Sequence, residues 1–302
     1  MRSSDPPVHR WPLAPAPIRF AGPDGLELAM HDLGGAGPIM LMAHATGLHG
    51  WVYRRLAAHL GHRFHCWALD LRGHGDSPVD EGSSLDWSVF GRDVLAALDQ
   101  LDAEKVVGFG HSLGGPALLM AADQRPDAFE RLVFYEPAIV RPWESAAPGL
   151  KENQSFMVEV ARRRRNTFAS RAEALQNYAA KEPMSDFNAG ALFDYVAHGF
   201  GDRGDRSVEL KCRPEVEAQV FASTFTQQSW AILERLPCPV HILRGSDTDE
   251  IHRSTAADMY RDFGLPQLEI EGLGHFGPLQ NPAQLAAEIL RAISAETAVE
   301  GA

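Results

Sequence analysis

Cysteine is scarce in this 302-residue chain: Cys66, Cys212 and Cys238 are its only three. They are scattered and form no CxxC. That excludes a disulfide framework and leaves reduced thiols in a cytoplasmic protein as the expectation. No histidine pairs with a second histidine and a carboxylate at metal-ligand spacing, so neither a metal nor any other cofactor is expected. There is no run of about 18 apolar residues, which excludes a membrane-spanning helix. The first residues, MRSSDPPVHRWPLAPAP, carry no apolar segment of signal-peptide type and read as a floppy leader. Positive charge is in deficit, with 28 Lys+Arg against 40 Asp+Glu and a net charge of −12. A nucleic-acid partner needs a basic face, so that class is disfavoured as well.

What remains is an ordinary soluble globule, 45% apolar, of a length that fits one large domain or two. Ile18–Phe20 and Leu26–His31 read as short strands about the turn Gly22–Gly25. The near-continuous apolar run PIMLMAH (Pro38–His44) suits a strand buried on both faces. Trp51–Leu60 reads as a helix, Phe64–Asp70 as a strand, and Leu85–Leu101 as a helix with an apolar stripe. Lys105–Phe109 and Arg131–Tyr135 are strands on either side of a helix at Pro116–Gln124. This alternation predicts an α/β fold with a mostly parallel, doubly wound sheet of about eight strands. From Ala138 to Gln228 no convincing strand is legible. Helices are expected at 152–164, 171–180, 189–198 and 214–225 instead. The pattern resumes with a strand at Pro239–Arg244, a helix at Ser254–Phe263, a strand at Gln267–Glu271 and a final helix opened by Asn281-Pro-Ala-Gln284. The reading is a core of residues 1–137 and 229–302 with a helical cap, 138–228, inserted in it. The charge run Arg162–Arg165 is expected on the solvated face of a cap helix.

The stretch VGFGHSLGG ends at Gly115 and contains Gly110-His111-Ser112-Leu113-Gly114, a G-x-S-x-G sequence between a strand and a helix. In that context the serine sits on a sharp strand-to-helix corner with its hydroxyl exposed. The flanking glycines leave room for the turn. A serine hydroxyl is a weak nucleophile until a base takes its proton, so a histidine and a carboxylate partner are required.

With that motif, three others stand in a characteristic order: His44-Ala-Thr-Gly47 after the third strand, Asp70-Leu-Arg-Gly-His-Gly-Asp-Ser77, and Gly274-His275-Phe276. Together they resemble the α/β-hydrolase superfamily, specifically a serine hydrolase with a cap. The resemblance implies Ser112 as nucleophile and His275 as base. It implies an oxyanion hole from the backbone N–H groups of Leu113 and Thr46. Leu48 and Trp51 are expected to floor the pocket, with His44, His111, Thr248 and Phe276 beside them. The acid is ambiguous. The position most relatives use, after the strand PVHILR, holds Thr248, flanked by Asp247 and Asp249. Some relatives, the haloalkane dehalogenases among them, carry the acid one sheet strand earlier, and Glu136 has that spacing from Ser112. Glu136 is the first choice, then Asp249, then Asp247.

A serine at the elbow implies acyl transfer to water. The substrate would be an ester, thioester or lactone, small to medium in size and mostly apolar to suit the cap's aromatics. C–C bond hydrolysis, a cofactor-free haloperoxidase or perhydrolase reaction and a non-catalytic binding protein are the alternatives. The partner is a small molecule, and the protein is a monomer or homodimer.

Overall fold

The computed structural model describes Trp11 and residues 15–299, with side chains to residue 294; most of the expected leader lies outside the described residues. The chain order is β1 (Ile18–Ala21), β2 (Glu27–Gly35), β3 (Ile39–Ala43), α1 (Arg54–Leu60), β4 (His65–Asp70), α2 (Trp87–Leu98), β5 (Val106–His111), α3 (Gly114–Gln124) and β6 (Phe129–Tyr135). There follow α4 (Pro148–Arg162), β7 (Thr167–Phe168), α5 (Arg171–Ala179), α6 (Ala189–Gly199), β8 (Phe200–Asp202), β9 (Val208–Leu210), α7 (Pro214–Ala222) and α8 (Ser229–Ile232). The chain ends with β10 (Val240–Gly245), α9 (Glu250–Phe263), β11 (Gln267–Ile270), α10 (Gly277–Gln280) and α11 (Pro282–Val299).

The main sheet has eight strands in the order β1-β2-β4-β3-β5-β6-β10-β11. β1 and β2 are antiparallel to their neighbours and the rest run parallel. Side chains alternate along a strand, so the central strands feed both faces at once. Met40, Met42, Val107, Phe109, Val133 and Tyr135 join one buried cluster, which α1 and α11 cover through Leu56, Leu60, Leu285 and Ile289. Leu41, Ala43, Val106, Leu132 and Phe134 join the other, under α2 and α3. That is why PIMLMAH reads as a continuous apolar run. Parallel strands place their C-terminal ends along one edge, and β3, β4, β5, β6 and β10 all deliver a loop there.

The chain leaves the sheet after Tyr135 and rejoins it at Val240. The excursion contains α4 to α8, but it also contains β7, β9 and β8, an antiparallel three-stranded sheet that the sequence reading did not expect. These strands have two or three residues each, too short to show an alternating pattern. The excursion is fastened to the sheet domain at several points. The Trp87 indole donates to the Val220 carbonyl at 2.7 Å, the Asn188 amide donates to Leu279 at 2.8 Å, and Lys211 pairs with Asp76 at 2.9 Å. Among the described residues no helix is long and apolar enough to cross a membrane.

Candidate active site

Ser112 sits at the end of β5 with φ +51°, a left-handed conformation that a side chain normally avoids. The surroundings hold it there. Its amide donates to Tyr135 at 3.1 Å, and its carbonyl accepts from Gly115 and Ala138, both at 3.0 Å. The two glycines of the motif are required by close approach. A Cβ on Gly114 would lie 2.0 Å from the Ala43 carbonyl, and one on Gly110 would lie 2.7 Å from the Gly114 carbonyl. The elbow is thus wedged against the end of β3, which carries the loop with Thr46. Among the described hydrogen bonds, neither the Leu113 nor the Thr46 amide donates to another protein group.

The strand beside β5 ends in a second corner of the same kind. Glu136 follows β6 with φ +43° and, like Ser112, is not a glycine. Its Oε2 accepts from His275 Nδ1 at 2.8 Å and from the Thr248 hydroxyl at 2.8 Å, while Oε1 accepts from the Gly245 amide at 2.9 Å. Burial pushes the Glu136 carboxyl up, but the hydrogen bond and charge of His275 outweigh it, and the group is held below its ordinary value. Burial lowers His275, aided by the charge of His252 and opposed by the bond from Glu136, with a net downward result. With Nδ1–H donating to the carboxylate, Nε2 is left as the proton acceptor.

Asp249 and Asp247 lie elsewhere. Asp249 caps α9: its Oδ1 accepts from the His252 amide at 2.9 Å and from His252 Nδ1 at 2.6 Å. Asp247 is exposed and accepts from the Ser246 hydroxyl at 2.8 Å. Thr248 acts as a buried donor to Glu136, so the position most relatives give to the acid here supports one that arrives from β6.

Four residues expected to line the pocket are buried: His44 and His111 are 0% exposed, Leu48 is 2% and Thr248 is 3%, which leaves almost no surface for a substrate. His44 is a tie: Nδ1 donates to the Ala45 carbonyl at 2.8 Å and Nε2 accepts from Leu71 at 3.0 Å. Leu48 belongs to the core. His111 Nε2 donates to the His275 carbonyl at 2.8 Å, and its Nδ1 accepts from Tyr53, whose oxygen takes the Ala45 amide at 3.4 Å. A carbonyl can only accept, so the tautomer follows. The chain Ala45–Tyr53–His111–His275 joins the loop after β3 to the loop that carries the base. Trp51 packs edge-on to His31 and His198, and Phe276 packs on His275 and His111.

Three participants had no sequence signal. Arg162, Arg163 and Arg165 point outward, at 60%, 81% and 53% exposure, but Arg164 is 15% exposed, against expectation. It chelates Glu217 of α7 with Nη1 at 2.7 and 2.9 Å from the two carboxylate oxygens and also reaches the Tyr195 hydroxyl. A Cβ on Gly47 would lie 2.3 Å from Glu217 Oε1, so this ion pair sits on the loop after β3. The third participant is His252, whose ring stacks on His275 with centroids 4.0 Å apart and planes at 26°.

A model of the alpha/beta hydrolase family matches residues 40–288. The chain is similar to human monoglyceride lipase, 33% identical over 113 residues that cover 36% of this chain and 37% of that protein. It is also similar to the pimeloyl-[acyl-carrier protein] methyl ester esterase of Chromobacterium violaceum, 39% identical over 109 residues, 35% of this chain and 41% of that one. The match thus spans about two fifths of these curated relatives, or less. Among solved structures, E-2-(acetamidomethylene)succinate hydrolase superposes with a TM-score of 0.79 at 21% identity, over 92% of this chain and 99% of the other. A thermophilic esterase from Thermogutta terrifontis does so at 0.68 and 21%, over 93% and 99%. These two likenesses establish the fold.

Proposed function

Because the chain belongs to the alpha/beta hydrolase family, we propose that it hydrolyses a small carboxylic ester, thioester or lactone through an acyl-enzyme at Ser112. The observation that carries this reading is the 2.8 Å hydrogen bond between His275 Nδ1 and Glu136 Oε2, at the strand end next to the strained serine. His275 Nε2 accepts the Ser112 proton as Oγ attacks the acyl carbon. The Leu113 and Thr46 N–H groups receive the oxyanion. The tetrahedral intermediate collapses, with His275 returning the proton to the leaving oxygen or sulfur. Water, deprotonated by the same ring, then releases the acid. Glu136 holds the tautomer and stabilises the imidazolium without itself taking the proton. The excursion between β6 and β10 acts as the cap that selects the substrate. The names of the curated relatives, a lipase of monoglycerides and a methyl ester esterase, support ester chemistry. The Arg164–Glu217 pair favours a substrate that presents a polar group beside the loop after β3.

The test is hydrolysis of a panel of p-nitrophenyl esters and lactones by the protein and by Ser112→Ala. The variant is expected to lose at least ~10³-fold in kcat/KM. Retention within about tenfold, ~1.4 kcal/mol of barrier, would contradict the serine mechanism.

A further inference from the structure

The loop after β10 builds a histidine–carboxylate pair of its own. Asp249 caps α9 and holds His252 Nδ1 at 2.6 Å, as Glu136 holds His275 Nδ1 at 2.8 Å. The two imidazoles lie face to face, 4.0 Å between centroids and 26° from parallel. A nitrogen of each ring and an oxygen of Glu136 all fall within 4.8 Å of one another. This second pair touches neither Ser112 nor the oxyanion loop in any hydrogen bond, so the reaction scheme above leaves it without a role.

Its charge follows from its neighbours. On its own helix His252 meets Asp249, from the end of β6 it meets Glu136, and from the loop after β11 it meets His275. Beyond these rings His111 of β5 contributes a buried histidine held neutral. Where α4 approaches α9, a Cβ on Gly149 would lie 3.9 Å from the uncharged Ile251 side chain. Burial works against the imidazolium, but the Asp249 hydrogen bond and the two nearby carboxylates more than offset it, and His252 is displaced upward from its ordinary value. Two protonated rings cannot share this stack cheaply, so a proton on His252 disfavours one on His275.

We propose that His252 is a positioning residue that, as an imidazolium braced by Asp249, keeps the stacked His275 neutral and ready to accept the serine proton. This rests on the assignment of His275 as the base. The consequence is an acid limb of activity at lower pH than an isolated histidine–carboxylate pair would allow, because His275 must be unprotonated to work.

The experiment follows the ring protons of His275 by NMR across pH 4–9, assigned by difference from His275→Gln, in the wild type, His252→Phe and His252→Arg. His252→Phe keeps a flat ring on His275 and removes the charge; its His275 midpoint is expected to rise by about one pH unit. His252→Arg restores a stacked cation and is expected to leave the midpoint within about 0.3 unit of wild type. Should His252→Phe fold poorly, His252→Gln makes the same comparison. In p-nitrophenyl acetate hydrolysis, the rate of His252→Phe relative to wild type is expected to fall as the pH is lowered. An unchanged midpoint in His252→Phe, an equal shift in His252→Arg, or a loss of rate that is uniform with pH overturns the proposal. If Ser112→Ala remains active, the hydrolase reading fails while the NMR midpoints still decide the question about His252.

Discussion

Two residues with positive φ, Ser112 and Glu136, stand at the ends of adjacent strands and carry the outer two members of the proposed Ser112–His275–Glu136 triad. A left-handed non-glycine residue costs about 1–2 kcal/mol. Ser112→Gly should therefore raise stability by about 0.5–1 kcal/mol in urea unfolding while abolishing hydrolysis; a loss of stability would show that the corner is unstrained. Glu136→Gln is expected to lower kcat by about 10³–10⁴-fold, the scale associated with a neutralised triad acid, and Asp249→Asn by less than tenfold. The reverse ranking in steady-state kinetics would place the acid after β10. Thr248→Val leaves Glu136 one donor short, a cost of about 1–3 kcal/mol, and should weaken turnover without abolishing it. Ser112, His275 and Glu136 were legible as single residues because each follows a strand in a motif or at a known spacing. Which carboxylate reached His275 was legible only as a ranking, with Glu136 first, since it depends on how sharply the chain turns after Tyr135. A positive φ at a glutamate leaves no mark in sequence.

At the scale of elements, the alternation of apolar runs and helical stripes was enough to place every strand of the main sheet, because burial on both faces imposes a pattern on the residues themselves. The boundaries moved by a few residues: the expected helix from Trp51 begins as a tighter turn at Gly50–Tyr53 before α1. The three short strands of the excursion were not legible, nor was the inward turn of Arg164 among four consecutive arginines. Its neighbours at positions 162, 163 and 165 differ from it only in where the end of α4 points them. This pair is a test of the element packing. Arg164→Met strands the Glu217 carboxylate among Tyr195, Gly47 and α7 and is expected to cost about 3–5 kcal/mol. Arg164→Met with Glu217→Leu should recover most of it, measured by urea denaturation. A single variant no less stable than the double would mean that the pair is solvated. Gly114→Ala forces a methyl into the Ala43 carbonyl, and it should separate α3 from β3 and lower both stability and activity.

For the whole molecule, the loops that carry Thr46, Ser112, Glu136, Thr248 and His275 all emerge at the C-terminal edge of one parallel sheet, and the excursion closes over that edge through Trp87, Asn188 and Lys211. Fold class follows from topology and was accessible from the sequence pattern, which also pointed to the proposed site at the ends of the parallel strands. In the proposed reading, substrate identity depends on the inner surface of the excursion, whose residues follow packing rather than any periodic rule. The claim on which the rest depends is that Ser112 is a nucleophile activated by His275 and Glu136. Intact-protein and peptide mass spectrometry after exposure to a fluorophosphonate probe tests it most directly. The account predicts one adduct, on the peptide containing Ser112, absent in Ser112→Ala and formed far more slowly in Glu136→Gln. A folded protein that remains unlabelled, or that is labelled on another residue, would contradict it.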